Sequence, residues 1–360
     1  MSDLCTPSTT ASSSSSLLGI YYDKVLLENL YPETRMYQLA DKKPIPKKIS
    51  KTITFTKMTK LSTAVAGTNL TEGVPPSPTW LSSTQITATI GQKGAYVPIS
   101  DLLSMTAIDP VIEDAAAELG RQAATVIDKY LMYRCFGDEG SVVDAEQIFD
   151  TSNLDFSEIY PQHPTAADQG FSTVFFSQDG SILSCAALKS FLTSAGVTKR
   201  EYGLTIDTVR RAVNQLKRTD VPTYKDGSYV MVIHPDSEYA LMRDEEFKDW
   251  NQYSAAEKMY NGEVGKIAGC RFVTSSNVPQ FAGAAFSSGS VDSTGVFNIL
   301  LAPKGLAVTE IDGHIHMKIK PAGSAGSVDP LDQVSTVGWK WAGVAKVIDE
   351  ARGRIVLTLK

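Results

Sequence analysis

The sequence is poor in cysteine, and the four it has, Cys5, Cys135, Cys185 and Cys270, show none of the paired spacings of a zinc site or a redox dithiol. A reduced compartment is the expectation. A long apolar run near the start is also missing: there is no basic n-region, and Leu17 to Ile20 is too short for a signal core or a membrane span. That predicts a protein made and kept in a cytoplasm. Excess positive charge is absent as well. The net charge is −6, so there is no bulk field for wrapping nucleic acid, and any DNA contact has to be local. No internal repeat occurs at solenoid or propeller periods.

Signals for catalysis are equally thin. His314 and His316, two apart on a strand, would share a face, but no third metal ligand is placed by the sequence and two surface histidines are the simpler reading. His234 precedes Pro235 without a Gly-x-Ser-x-Gly elbow or a cysteine partner, as a structural turn histidine does. Gly262, Gly265 and Gly269 match neither Gly-x-Gly-x-x-Gly nor a Walker loop and read as turn glycines. The acids Asp244, Glu245, Glu246 and Asp249 read as a solvated face. No catalytic, cofactor or metal site is expected.

What is present is an ordinary globular composition, 42% hydrophobic and 21% charged, in a 360-residue chain long enough for two lobes or one large domain. Residues 1–16 are Ser/Thr-rich and predict a disordered or partner-ordered arm. A strap follows as far as the Lys42-Lys43-Pro44-Ile45-Pro46 run, which favours extended backbone. Ile53 and Phe55 alternate with threonines, and Ile86, Ala88 and Ile90 repeat the pattern, predicting a hairpin whose connection holds Pro75, Pro76 and Pro78, with Pro98 closing the return strand. A two-stranded ribbon is only marginally stable alone, so it must lean on something outside itself.

Asp109 as N-cap and Pro110 at the first position open the clearest helix, which the apolar stripe Ile112, Ala116, Leu119, Ala123, Val126, Tyr130 and Tyr133 carries to Gly137. A second helix is predicted over 207–218, burying Ile206, Val209, Val213 and Leu216 and turning Arg210, Arg211, Lys217 and Arg218 outward. Tyr229 to Ile233 and Val296 to Leu301 are unbroken apolar runs suited to strands covered on both faces. Trp339 and Trp341 share a strand face, and Ile355 to Leu357 form a last strand.

Charge is segregated along the chain. From Lys42 to Thr71 there are seven lysines and no acid, whereas 135–188 has nine acids and no Lys or Arg and reads as an irregular acidic insertion. Such segregation suits docking of a basic arm and hairpin on one copy against acidic surface on the next, which would set register more than affinity; the alternative is two solvated loops.

Taken in order, extended arm, proline-tipped hairpin, long capped helix, glycine-punctuated mixed lobe and returning strand resemble the Hong Kong 97-type capsid fold of tailed phages, and in detail the coat proteins of the N-four-like podoviruses. The stretches that carry the likeness are Ser50 to Leu103, Asp109 to Tyr133, Val230 to Pro279 and Gly338-Trp339-Lys340; the most specific is Gly262-Glu263-Val264-Gly265-Lys266-Ile267-Ala268-Gly269 with Ser276-Asn277-Val278-Pro279. The resemblance implies an α+β capsid subunit with an N-terminal arm over 1–48 and an E-loop over 49–104. It further implies a peripheral domain over 105–221 with a spine helix at 109–136 and the acidic insertion at 137–200, an axial domain over 222–330 and a C-terminal return over 331–360.

Several expectations about partners and surfaces follow. Copies of the chain would meet through Lys42, Lys43, Lys47, Lys48, Lys51, Phe55, Lys57 and Lys60, with Pro75, Pro76 and Trp80 at the hairpin tip. Packaged double-stranded DNA would touch Arg210, Arg211, Lys217 and Arg218 without regard to sequence. A separate scaffolding protein, a portal and a decoration protein are the other implied partners, and no cofactor is. Some relatives of this fold cross-link a hairpin lysine to a neighbour's asparagine; Lys57, Lys60 and Lys93 are present, but no partner is indicated and that chemistry is not carried over. The rival readings are an encapsulin-type compartment on the same fold and a metal-dependent hydrolase using His314 and His316.

Overall fold

The computed structural model describes residues 34–43, 51–59, 61, 72, 80–106, 111–137, 171–174, 203–244, 247, 266–281, 295–310, 315–321 and 333–359. In chain order its elements are α1 (Met36–Leu39), β1 (Asp41–Lys42), β2 (Thr52–Met58), β3 (Ser83–Thr89), β4 (Gly91–Ser100), α2 (Asp101–Thr106) and α3 (Val111–Arg134). There follow β5 (Ser172–Val174), α4 (Ile206–Arg218), β6 (Tyr229–Ile233), α5 (Pro235–Arg243), β7 (Lys266–Ile267), β8 (Cys270–Thr274) and β9 (Gln280–Phe281). The last five strands are β10 (Gly295–Leu301), β11 (Leu306–Glu310), β12 (His316–Lys320), β13 (Val334–Val347) and β14 (Gly353–Leu359). Among the described residues no helix is long and apolar enough to cross a membrane.

Two sheets flank the long helix α3. The first is organised by β13, which pairs β11 and β12 as well as β4, with β1 added in parallel to β11. Alternation sends Val337, Trp339 and Trp341 of β13 to the buried face, where the Trp339 indole donates to Gln122 of α3 and the Trp341 ring meets Tyr130 edge-on. β4 continues through Pro98, which was expected to end it. Asp101 N–H donates to Gln333 C=O, so bonded pairs fall at odd positions of β4 and Pro98, opposite Thr336, occupies an unbonded one. The proline's missing N–H therefore costs the ladder nothing.

The second sheet runs β5-β14-β10-β6-β8-β7, with β9 also on β10. It is covered on both faces. Tyr229, Met231 and Ile233 of β6, Leu300 of β10 and Val356 of β14 pack with Val209, Val213 and Leu216 of α4. Val232, Ile299, Leu301, Ile355 and Leu357 turn the other way and share a core with Leu131 and Cys135 at the end of the spine helix. Two buried faces explain why these strands are apolar throughout rather than alternating.

The spine helix differs from its sequence pattern in one respect. A strict alternation of four and three drifts by about 20° per heptad on a straight α-helix. Accordingly the buried side passes from Ala116 and Leu119 through Ala123 and Ala124 to Ile127, Leu131 and Met132, while Val126 is exposed and Tyr130 and Tyr133 are half-buried. Asp109, Pro110 and the side chain of Ile112 lie outside the described residues.

Sheet membership also groups the chain differently from the expected boundaries at 222 and 331. Helix α4 packs on the second sheet, β11 and β12 pair with β13, and β14 returns to the second sheet beside β10. The 3-10 turn Glu350–Arg352 reverses the chain between the two. Adjacent strands with similar apolar content are thereby sent to different sheets, a choice made by which edge lies open. Within the segment read as an irregular acidic insertion, Phe171 is buried and β5 pairs in parallel with β14, so this part of it is ordered into the core. Most of the remaining insertion lies outside the described residues.

Candidate assembly surface

The β2–β3 ribbon forms in the register its alternation predicts, Phe55 opposite Ile86 and Ile53 opposite Ala88. Its support is the chain's own first sheet. Phe55, Ile86, Ala88 and Ile90 close over Ala307 of β11 and Val344 of β13, and each large side chain so buried contributes roughly 1.5–3 kcal/mol. Phe55, expected at a subunit interface, is only 3% exposed and is a core residue; the inward side of the ribbon claims it.

Polar anchors pin the same region. The Lys57 ammonium donates to the Asp349 carboxylate at 2.8 Å, Arg352 Nε donates to the other oxygen at 2.9 Å, and Lys346 Nζ donates to Thr87 C=O. Burial alone would raise the Asp349 carboxyl. The bonds from Lys57 and Arg352, the Lys57 charge and the Ala351 N–H together bring it below the ordinary carboxylate value. Asp349 carries no sequence signal of this role, lying 292 residues from its lysine.

The arm segment is tied down in turn. β1 pairs β11, Lys43 N–H donates to Val308 C=O, the Lys42 ammonium lies 3.9 Å from the Tyr37 ring centroid and that of Lys43 5.1 Å from the Phe55 ring. Tyr37 donates its hydroxyl to Glu310, which also accepts the Trp341 indole N–H at 2.6 Å. Three of the lysines expected to face a neighbour, Lys42, Lys43 and Lys57, are thus engaged within the chain. Lys51 is exposed, and Lys47, Lys48, Lys60, Pro75 and Pro76 lie outside the described residues.

Past its anchored part the ribbon presents apolar surface to solvent. Met58 is 65%, Trp80 82% and Leu81 71% exposed, with Leu61 nearby in sequence also exposed. Exposed apolar side chains gathered at one end of an element mark a contact surface better than a monomer's exterior.

On α4, Arg210, Lys217 and Arg218 are exposed and Arg211 is half-buried against Asp207 at 2.6 Å, all away from the apolar stripe. Thr205 caps the helix by accepting the Thr208 N–H, so it begins one residue before the predicted start. His234 caps α5 by accepting the Asp236 N–H on Nδ1, and its Nε2 is bonded to Gln280, a structural turn role. His314 lies outside the described residues, His316 begins β12, and among the described residues no group of three His, Cys, Asp or Glu side chains is placed to hold a metal ion.

Comparison with known proteins agrees with this architecture. Residues 177–301 match the family model described as phage capsid protein. None of the curated proteins matches the sequence. Among solved structures, the capsid of Ralstonia phage GP4 is similar at 13% identity with a TM-score of 0.60, covering 91% of each chain. The capsid of cyanophage P-SCSP1u is similar at 15% identity and TM-score 0.57, over 90% of this chain and 87% of the other, and that of cyanophage Pam1 at 14% and 0.56, over 87% and 86%. The chain thus has the Hong Kong 97-type capsid fold along nearly its whole length, and residues 177–301 carry the sequence pattern of the phage capsid protein family.

Proposed function

We propose that many copies of this chain close into the icosahedral head that holds the double-stranded DNA genome of a tailed phage, and that its part there is structural, without enzymatic activity. The observation that carries the reading is a ribbon rooted in its own subunit's core through Phe55 and Ile86 yet ending in exposed Met58, Trp80 and Leu81. A neighbour lying under that end would bury what a monomer leaves in water. In this reading residues 1–48 are the arm and 49–104 the E-loop, the β13 sheet with the spine helix is the peripheral lobe, and the β10 sheet with α4 is the axial lobe.

Arg210, Lys217 and Arg218 then supply weak, sequence-blind contacts to packaged DNA. Lys47, Lys48, Lys51 and Lys60, with Pro75, Pro76 and Trp80, meet the next subunit. A separate scaffolding protein, a portal and a decoration protein complete the assembly. The test is electron microscopy of the full chain co-expressed with its gene neighbours, beside a variant lacking residues 62–80. Closed shells from the full chain and only soluble subunits from the deletion are expected; normal particles from the deletion overturn the role given to the ribbon.

A further inference from the structure

A second basic surface lies where the sequence offered no cue, on the face of the β13 sheet turned away from the spine helix. Register aligns Lys318 of β12, Gly338 of β13 and Tyr96 of β4 in one row, with Lys320, Thr336 and Pro98 in the next and Lys340 beside Gly94 in the row before. Because Trp339 and Val337 point to the helix, their neighbours Gly338, Lys340 and Thr336 point outward. A Cβ on Gly338 would stand 2.7 Å from Tyr96 Cβ, so glycine is what lets the tyrosine sit against the strand. The result is an open groove of about 840 Å³ floored by backbone and Tyr96 and edged by Lys318, Lys320 and Lys340.

Among the described residues no Asp or Glu lines this groove, the three lysines are exposed, and Tyr96 is 71% exposed. Such a surface takes an extended anionic partner, pairing carboxylates with ammonium groups and apolar side chains with the tyrosine ring. The chain supplies one. Residues 138–168 hold eight acids, Asp138, Glu139, Asp144, Glu146, Asp150, Asp155, Glu158 and Asp168, and no Lys or Arg. That segment leaves after Gly137 and is rejoined at Phe171, whose N–H donates to Cys135 C=O at 2.6 Å, so both its ends are held at the end of the spine helix. The groove is on the opposite face of the sheet from that helix, the face away from both anchored ends of the segment.

We infer that the Lys318–Lys320–Lys340 groove seats the acidic segment 138–168 of a second copy, a contact that rests on the shell-forming role proposed above. It is distinct from the ribbon contact and places the complementary charges at 1:1 stoichiometry in every subunit. Nucleic acid is the competing anion; the chain's net charge of −6 and the matched acidic segment favour the protein partner.

The experiment assembles shells from an equal mixture of unlabelled and nitrogen-15-labelled full-length chain and treats them with a carbodiimide, which joins a lysine amine to a carboxylate with loss of water. Peptides linking Lys318, Lys320 or Lys340 to 138–168 with one light and one heavy partner are expected, making up about half of those links for random mixing. Links only within one isotope, or none in well-formed shells, overturn the inference while leaving the shell role intact. Absence of shells from the wild-type chain overturns the shell role itself. In parallel, Lys318→Glu/Lys320→Glu/Lys340→Glu, on exposed positions, is expected to fold as wild type and lose at least tenfold in shell yield. Normal shells depleted of DNA from that variant would assign the groove to nucleic acid instead.

Discussion

The carboxylate of Asp128, fully buried on the spine helix, accepts the backbone N–H of Met36 at 2.7 Å across 92 residues of sequence. Backbone groups of Arg35 and Tyr37 and the Asn277 side chain also approach it. A buried acceptor in the middle of a helix thus closes the exposed end of α1 and joins the arm to the core. Asp128→Ala leaves those donors unmatched and is expected to cost about 1–3 kcal/mol. Amide exchange at residues 35–37 should accelerate more than exchange in β6, which reports the global core.

Burial raises the Asp128 carboxyl above its ordinary value of 3.8 despite the hydrogen bonds that favour its charged form. The native chain therefore holds this proton at a pH where the unfolded chain has released it. Between the two values stability falls as pH rises, and the loss is complete above the native value. Asp128→Asn keeps an acceptor for Met36 and cannot ionise. Denaturant unfolding should show the Asn variant gaining on wild type as pH is raised from below 3.8 toward neutrality.

Asp349 has the opposite sign. Its carboxyl is held below the ordinary value, so its contribution is present above that value and lost as pH falls through the lowered one. Lys57 is more than a third exposed, so the pair is worth no more than about 1 kcal/mol. Asp349→Ala is expected to loosen the ribbon rather than unfold the chain: faster amide exchange over Thr52–Met58 at neutral pH, with the unfolding midpoint almost unchanged.

Trp341 donates to Glu310 and fills the space beside Tyr130. Trp341→Phe retains most of the packing but strips one donor from a buried carboxylate, at about 1–3 kcal/mol. Trp341→Ala adds a cavity and should cost roughly 3–5 kcal/mol. Chemical denaturation of the two variants separates the hydrogen bond from the packing.

Gly353 meets the Phe171 ring so closely that an added Cβ would lie 2.6 Å from two ring carbons. Gly353→Ala should expel the ring or shift β14, destabilising the chain by about 1–3 kcal/mol. In the Phe171→Ala background the same substitution should cost much less. Equal costs in both backgrounds, measured by thermal unfolding, would show that the two residues do not constrain each other.

The ribbon and α4 were legible because each announces itself within a few residues: Ile53 and Phe55 alternate with threonine, and Ile206, Val209, Val213 and Leu216 recur at helical spacing. The role of Phe55 was not. An alternating strand shows that one face is buried but not whether its own subunit or a neighbour buries it, and here Ala307 and Val344 do so. Likewise the lysines at 42, 43 and 57 were visible as a basic run, while their engagement with Tyr37, Phe55 and Asp349 depends on contacts that no local pattern encodes.

By itself the sequence determined local elements and a family likeness: an all-apolar Tyr229–Ile233 must lie in a sheet covered on both faces, and the glycine-punctuated segment near 262–279 carries the capsid likeness. Only the tertiary structure decided that β13 and β14, joined through the short 3-10 turn Glu350–Arg352, enter different sheets, that Asp128 reaches back to Met36, and that Lys318, Lys340 and Tyr96 share one face. Local periodicity follows from backbone geometry, which each short stretch carries with it. Strand partnership and side-chain convergence are decided by competition among distant segments for the same open edges and buried positions.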